Sequence, residues 1–206
     1  MNPIPPPGLR EQKKQQTRTA IMDAALELFI GRGFTVVTVA EVARAARVSE
    51  ATVFNYFRTK EDLVHDRLDE FWVRVVDAIE NRPDGTGTID AIESFLLAQP
   101  AVAPDTAARE RLLAITRMIT DSPSLLAREG VSYTAAAAAL SAVLARTTAI
   151  GDDAAAAAQA ILGIQRSLVD RTRELVLAGI DAETLNRDVA ERTRSGYAML
   201  RNGLKI

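Results

Sequence analysis

Cysteine is absent from this sequence, and His65 is its one histidine. Without thiols there is no disulfide staple and no thiolate nucleophile, and almost every zinc site that proteins build is excluded. A lone histidine also removes the commonest general base for chemistry near neutral pH. The acids fall into no paired active-site pattern, so an enzyme is not expected, and neither a cofactor nor a metal is implied. No apolar run approaches the roughly 20 residues that cross a bilayer. The opening, Met1 to Gly8, is proline-rich and lacks a charged-then-apolar pattern. Export is therefore not expected, and the cytoplasm is the expected compartment.

What is present is an ordinary globular balance: 206 residues, 48% hydrophobic and 25% charged. That length suffices for a small reading unit and a larger domain with its own core. The net charge of −2 argues against a polyanionic partner until its distribution is read. Residues 1–60 hold nine Lys/Arg against five Asp/Glu, and residues 61–206 hold sixteen against twenty-two. A basic head on an acidic body suits a nucleic-acid reader with a separate second domain.

The proline-rich stretch Asn2 to Gly8 reads as a disordered arm, and Arg10, Lys13, Lys14 and Arg18 form a basic lead-in to a first helix. Ile21, Ala24, Ala25, Leu28 and Phe29 follow the spacing of one buried helical stripe, closed by Gly31 and Gly33. Thr38 with Glu41 makes a capping box for a second helix over Val39 to Ala45, burying Val39, Val42 and Ala43. Ser49 caps a third, with Thr52 in its first turn. Two short helices across so short a turn make a helix-turn-helix. A long helix from about Lys60 to Asn81 buries Val64, Leu68, Phe71, Trp72, Val75 and Ile79.

Further helices are expected near Thr88–Gln99, Asp105–Asp121, Ser124–Thr147, Asp152–Ala178 and Asp181–Leu204, set apart by Pro100, Pro104, Ser122-Pro123, Gly151 and Gly179. The alanine runs Ala135–Ala139 and Ala154–Ala158 are strong helix formers that let neighbours approach closely. No stretch alternates long enough to be a strand. The fold class is all-α, with about nine helices in all.

The segment from Thr38 to Leu63 carries a Thr cap, Val42-Ala43, the turn Ala46-Arg47-Val48-Ser49, Thr52-Val53-Phe54, Tyr56-Phe57 and Lys60-Glu61-Asp62-Leu63. In order and spacing, over about residues 12–65, it resembles the DNA-binding domain of the tetracycline-repressor (TetR/AcrR) family. The rest of the chain fits only by helix count and length. The resemblance implies an N-terminal arm and helix-turn-helix DNA-binding domain over 1–60 and a helical ligand-binding and dimerisation domain over 61–206. It implies a ligand-responsive regulator, usually a repressor, that binds a palindromic double-stranded operator as a homodimer and releases it for a small, largely apolar effector. A fainter resemblance, in the first helices and the arm, is to regulators beside mycofactocin-type redox gene clusters, for which acyl-thioester ligands are implied.

Carried onto this chain, the helix opened by Thr38 holds phosphate, and Val48 and Val53 fill the small core of the motif. Losing the Ser49 cap costs about 1 kcal/mol. Glu50, Ala51, Thr52 and Asn55 face the major groove, with Asn55 suited to adenine and Thr52 to a thymine methyl. Tyr56 and Lys60 are phosphate contacts. Arg44 and Arg47 read either as solvated charge or, within the motif, as phosphate contacts. Arg47 stands where the family turn has glycine, which implies either a distorted turn or a left-handed residue whose charge compensates on DNA. Phe54 stands where tyrosine is common, so a hydroxyl contact is missing there.

His65 reads as a partly exposed surface histidine, with ligand sensing as the other reading. Phe71 and Trp72, and with them Phe95, Met118 and Tyr133, are candidate pocket residues, or plain core. Arg166, Arg171 and Arg173 read as a solvated face. Ile161, Leu162, Leu168, Val169, Leu175 and Val176, with Leu185, Val189, Gly196 and Leu200, form apolar surfaces on the last two helices. The family resemblance makes these a four-helix dimer interface, and packing within one subunit is the alternative. A regulator governed by a protein partner, without a small-molecule pocket, is the other functional reading.

Overall fold

The computed structural model describes residues 8–103 and 105–203, so the expected arm Asn2 to Gly8 lies, except for Gly8, outside the described residues, as do Pro104 and the Leu204 end of the last helix. Among the described residues there are nine α-helices, one 3-10 turn and no strand. The chain divides into two compact units, Met1–Asp66 and Arg67–Ile206.

The first unit holds α1 (Leu9–Arg32), α2 (Val39–Ala45), α3 (Glu50–Tyr56) and the opening turn of α4 (Asp62–Glu80). In α1 the buried residues are Ile21, Met22, Ala25, Leu26 and Phe29, so the stripe is turned slightly from the expected one and leaves Ala24 and Leu28 half-buried. Gly31 is helical, and the stop is Gly33, whose φ of 94° is open to glycine alone at little cost. Phe34 then folds back edge-on against Phe29 at 5.1 Å. Val37, Val42, Ala43, Val53, Phe57 and Leu63 complete a core small enough that each of its side chains matters.

α4 does not start at Lys60. Thr59 and Asp62 cap it reciprocally: the Thr59 amide donates to Asp62 Oδ2 at 2.9 Å and the Asp62 amide to Thr59 Oγ1 at 3.2 Å.

The second unit contains the remainder of α4, then α5 (Thr88–Leu97), α6 (Thr106–Thr120), α7 (Pro123–Thr147), the 3-10 turn Gly151–Asp153, α8 (Ala154–Leu177) and α9 (Ala182–Asn202). Each of α6, α7 and α9 begins on a side chain that satisfies an otherwise orphaned amide: Asp105 at 2.7 Å, Ser122 at 3.4 Å and Asp181 at 2.9 Å. α7 packs on α8, α8 on α9, and α9 on α5. The main core gathers Trp72, Val75 and Ile79 of α4 with Tyr133, Leu140, Val143, Ile161, Leu162 and Tyr197. A satellite of Val102, Leu175, Val176 and Leu185 sits under the α5–α6 connection. That connection is fastened by Asn186, which exchanges hydrogen bonds of 3.0 and 2.9 Å with the Val102 backbone.

Candidate functional site

The helix-turn-helix is built by its caps. The Glu41 amide donates to Thr38 Oγ1 at 3.3 Å while the Thr38 amide donates to Glu41 Oε2 at 2.8 Å, and Arg32 grips the other carboxylate oxygen at 2.8 Å. The Thr38 amide, then Arg32 and the Thr38 hydroxyl, draw the Glu41 carboxyl down from 4.5 to about 2. α2 ends in a Schellman turn: the Arg47 amide donates to the Arg44 carbonyl at 3.2 Å and the Val48 amide to the Ala43 carbonyl at 2.9 Å. Arg47 takes the left-handed conformation itself, at φ 57°. Of the two alternatives for this residue, the turn keeps its shape and the arginine bears the strain.

Two residues later Ser49 opens α3, accepting from the Thr52 amide at 3.0 Å, with its Oγ 2.8 Å from Thr52 Oγ1. Only Val53 of α3 is buried. Glu50, Ala51, Phe54 and Asn55 are exposed, Thr52 and Tyr56 half-buried, and Arg44, Arg47 and Arg58 exposed around them. A seven-residue helix held by one buried valine and one cap therefore presents most of its side chains outward.

Two of the basic residues of this unit turn inward. The Lys60 ammonium, expected on phosphate, donates to the Phe34 carbonyl and lies 4.5 Å from the Phe34 ring centre and 5.6 Å from that of Phe29. Loss of hydration there pulls its pKa below the usual lysine value. Arg18, from the basic lead-in, pairs with Asp66. Arg10, Lys13 and Lys14 remain exposed, and with Glu11, which Lys14 meets at 3.8 Å, and Thr17, Asn55 and Tyr56 they line one open groove beside the end of α3. His65, expected at the surface, is 2% exposed: the apolar spacing of α4 carries the position inward.

In the second unit a cavity of about 350 Å³ lies between α4 and α7, open to solvent. Trp72, Val73, Val76, Val131, Ala135, Ala136 and Ala139 make its apolar wall, and Asp69, Arg128 and Ser132 its polar end, where Arg128 meets Asp69 at 2.6 Å. Of the five aromatic and methionine candidates only Trp72 lines it. Phe71, Phe95 and Tyr133 instead join Trp72 in a chain of ring contacts at 5.2, 5.9 and 6.1 Å, Tyr133 in the core and Phe71 and Phe95 half-buried against it, and Met118 is half-buried on α6. Burial, with the Glu129 carboxylate beside it, raises the Tyr133 phenol to about 12.

Of the three arginines of α8 expected on a solvated face, Arg166 is exposed, and Arg171 and Arg173 are half-buried in ion pairs. Arg173 forks onto the buried Glu129 of α7 at 2.6 and 3.1 Å, Arg171 onto Asp188 of α9 at 3.0 and 3.1 Å, and Arg166 stacks 5.0 Å over Tyr133. Among the residues expected at a dimer interface, Ile161, Leu162, Leu168, Leu175, Val176, Leu185 and Gly196 are buried within this one chain. Gly196 is a helix crossing point, since a Cβ there would come 2.8 Å from Ile164 Cγ2. Among the exposed residues of α8, the small ones Ala156, Ala160, Gly163 and Ser167 are spaced along one face.

Residues 21–66 match the family model described as bacterial regulatory proteins, tetR family. The chain carries a tetR-family domain. Its curated relatives include the transcriptional regulator TcmR of Streptomyces glaucescens, 33% identical over 92 residues, which are 45% of this chain and 41% of TcmR. Another, from Mycobacterium tuberculosis and named as a mycofactocin biosynthesis transcriptional regulator, MftR, is 28% identical over 122 residues, 59% of this chain and 61% of its own. The chain thus spans about two fifths to three fifths of the length of these relatives. Among solved structures, the Pseudomonas aeruginosa repressor NalD superposes with a TM-score of 0.55 at 19% identity, over 88% of this chain and 97% of NalD. Thermus thermophilus FadR in complex with lauroyl-CoA gives 0.52 at 23% identity, over 92% and 95%. At such identities these two report the shared all-α fold.

The tetR-family domain contains every one of the nine DNA-contact candidates; Glu50, Ala51, Thr52, Asn55 and Tyr56 lie on α3 itself, and Arg44 and Arg47 at the end of α2 and in the turn that leads into it. Arg58 and the groove cations Arg10, Lys13 and Lys14 were not among them. The last three were visible in the sequence as a basic lead-in; that they meet the end of α3 depends on how α1 folds back, which no local pattern encodes.

Proposed function

We propose that the chain is a transcriptional regulator, acting as a repressor, whose α3 enters the major groove of operator DNA. The observation that carries this reading is the exposed, Ser49-capped α3, with the exposed Arg44, Arg47 and Arg58 on the segments that lead into it and out of it. Asn55 offers an amide of the right geometry for adenine, and Arg10, Lys13, Lys14 and Tyr56 supply phosphate contacts beside it. A homodimer would set two such helices at the 34–36 Å repeat of one DNA face and so select a palindrome. With the apolar stripe of α8 consumed internally, the dimer uses its exposed Ala156, Ala160, Gly163 and Ser167, where small side chains permit close helix approach.

Release follows from a small, largely apolar effector in the α4–α7 cavity, against Trp72. A volume of several hundred cubic ångströms with an apolar wall suits a small molecule and favours this reading over control by a protein partner alone. The structural neighbour Thermus thermophilus FadR is in complex with lauroyl-CoA, which supports an apolar or acyl effector here. α4 begins in the first unit and continues in the second, so it is the element through which occupancy reaches the reading helix. Preference of the effector for the non-binding arrangement by a few kcal/mol suffices. The test is a gel shift of the chain with duplexes from its own promoter region. A salt-sensitive complex is expected, and no shift with any operator-length duplex overturns the reading.

A further inference from the structure

None of the polar contacts assigned to α3 uses Phe54, whose side chain is 50% exposed at the middle of that helix. Ala51, also exposed, lies three residues earlier and so on the same side, with Glu50 and Asn55 to either flank. The exposed arginines on the segments before and after the helix make a polyanion its complement, and a phenyl ring on the outward side of a DNA-facing helix is placed to meet base edges. In the major groove those edges are hydrogen-bonding groups, except for the C5-methyl of thymine and the C5–H of cytosine, and of these two the methyl offers the larger apolar surface. Against N7, O6 or an exocyclic amine, the ring would strip water and return no hydrogen bond. Against a methyl, it removes apolar surface from water on both sides. Thr52, the residue that the sequence suggested for a thymine methyl, is half-buried with its hydroxyl 2.8 Å from Ser49 Oγ.

We propose that Phe54, with Ala51 beside it, reads the 5-methyl group of a thymine in each half-site. The inference rests on the DNA-binding reading above and adds a base preference to it. Phe54 is a specificity residue acting by apolar contact alone, since its ring has no hydroxyl to share.

The experiment begins by selecting a bound duplex from a random-sequence pool with the full chain. Single thymines are then replaced by uracil, which removes only the methyl, and binding of wild type, Phe54→Ala and Phe54→Leu is compared by fluorescence anisotropy. At one thymine per half-site the wild type is expected to bind the uracil duplex about fourfold more weakly, the worth of one methyl. Phe54→Ala binds the thymine duplex more weakly and is indifferent to the exchange at that position, while Phe54→Leu keeps part of the dependence. Equal weakening in wild type and Phe54→Ala, or none at any thymine, overturns the proposal. Failure to select any duplex overturns the DNA-binding reading as well, and is plainly distinct from binding without methyl dependence.

Discussion

Arg18 on α1 donates through Nε to Asp66 Oδ2 at 2.7 Å and through Nη2 to Oδ1, forty-eight residues along the chain, while its guanidinium lies 5.1 Å from the centre of the Phe57 ring. Asp66 is only 3% exposed, so this two-pronged bond satisfies a carboxylate that has almost no water. Together with the inward Lys60 over Phe34 and Phe29, it fastens α1 to the last residues of the N-terminal unit. Two basic residues of this unit are thus taken up by contacts within it.

Asp66→Asn leaves the guanidinium against a neutral group and is expected to lower stability by about 3 kcal/mol, the scale for removing one partner of a largely buried pair. A fall in the urea midpoint followed by far-UV circular dichroism checks it. An unchanged midpoint would mean that the pair contributes nothing.

Arg47→Gly separates folding from binding. Relief of a left-handed arginine is worth about 1–2 kcal/mol, and the added freedom of glycine in the unfolded chain takes back about 0.4–1 kcal/mol. The variant should be slightly more stable by thermal melting and yet bind operator less tightly, with a salt slope reduced by about 1 if the arginine neutralises one phosphate.

Neutralising the α1 groove in the triple variant Arg10→Gln, Lys13→Gln, Lys14→Gln tests the backbone role assigned to it. The slope of log affinity against log salt should fall by about 0.9 for each phosphate no longer neutralised, while preference among base sequences is unchanged. Anisotropy titrations at several salt concentrations give both quantities.

Trp72 is the sole tryptophan and lines the α4–α7 cavity, so its emission reports on that cavity directly. Decanol or decanoate entering there should shift the emission. Ala135→Phe, which fills the cavity from an exposed position on α7, should abolish that shift and effector-induced release in the gel while leaving operator affinity intact. Release that survives the substitution would move the effector elsewhere.

Acid should loosen the start of α2. The Glu41 carboxyl is held down to about 2 in the folded chain from 4.5. Its contribution is therefore fully present above about pH 4.5 and is lost as pH falls toward 2. Protection of the Thr38 amide, which donates to that carboxylate, measured relative to its intrinsic exchange rate should fall across that window in the wild type and be less sensitive to it in Glu41→Gln, whose amide side chain does not titrate.

The sequence by itself determined the helices of the described residues and the helix-turn-helix within the first unit. Thr38, Glu41 and Ser49 act on amides three residues away, and Gly33 and the Ala46–Ser49 turn on their own backbone, so their effect is written in local spacing. It also held the charge asymmetry, because composition needs no coordinates. Tertiary structure alone decided where each side chain was spent. Helical periodicity says which positions share a face; it cannot say whether that face meets solvent, a second copy or a neighbouring helix. For that reason Arg173, the buried His65, and the apolar positions of α8 and α9 were legible as residues but not by what they touch. Arg18 finding Asp66 and Lys60 finding Phe34 depend on segments far apart in the chain being brought together, and only the packed core does that.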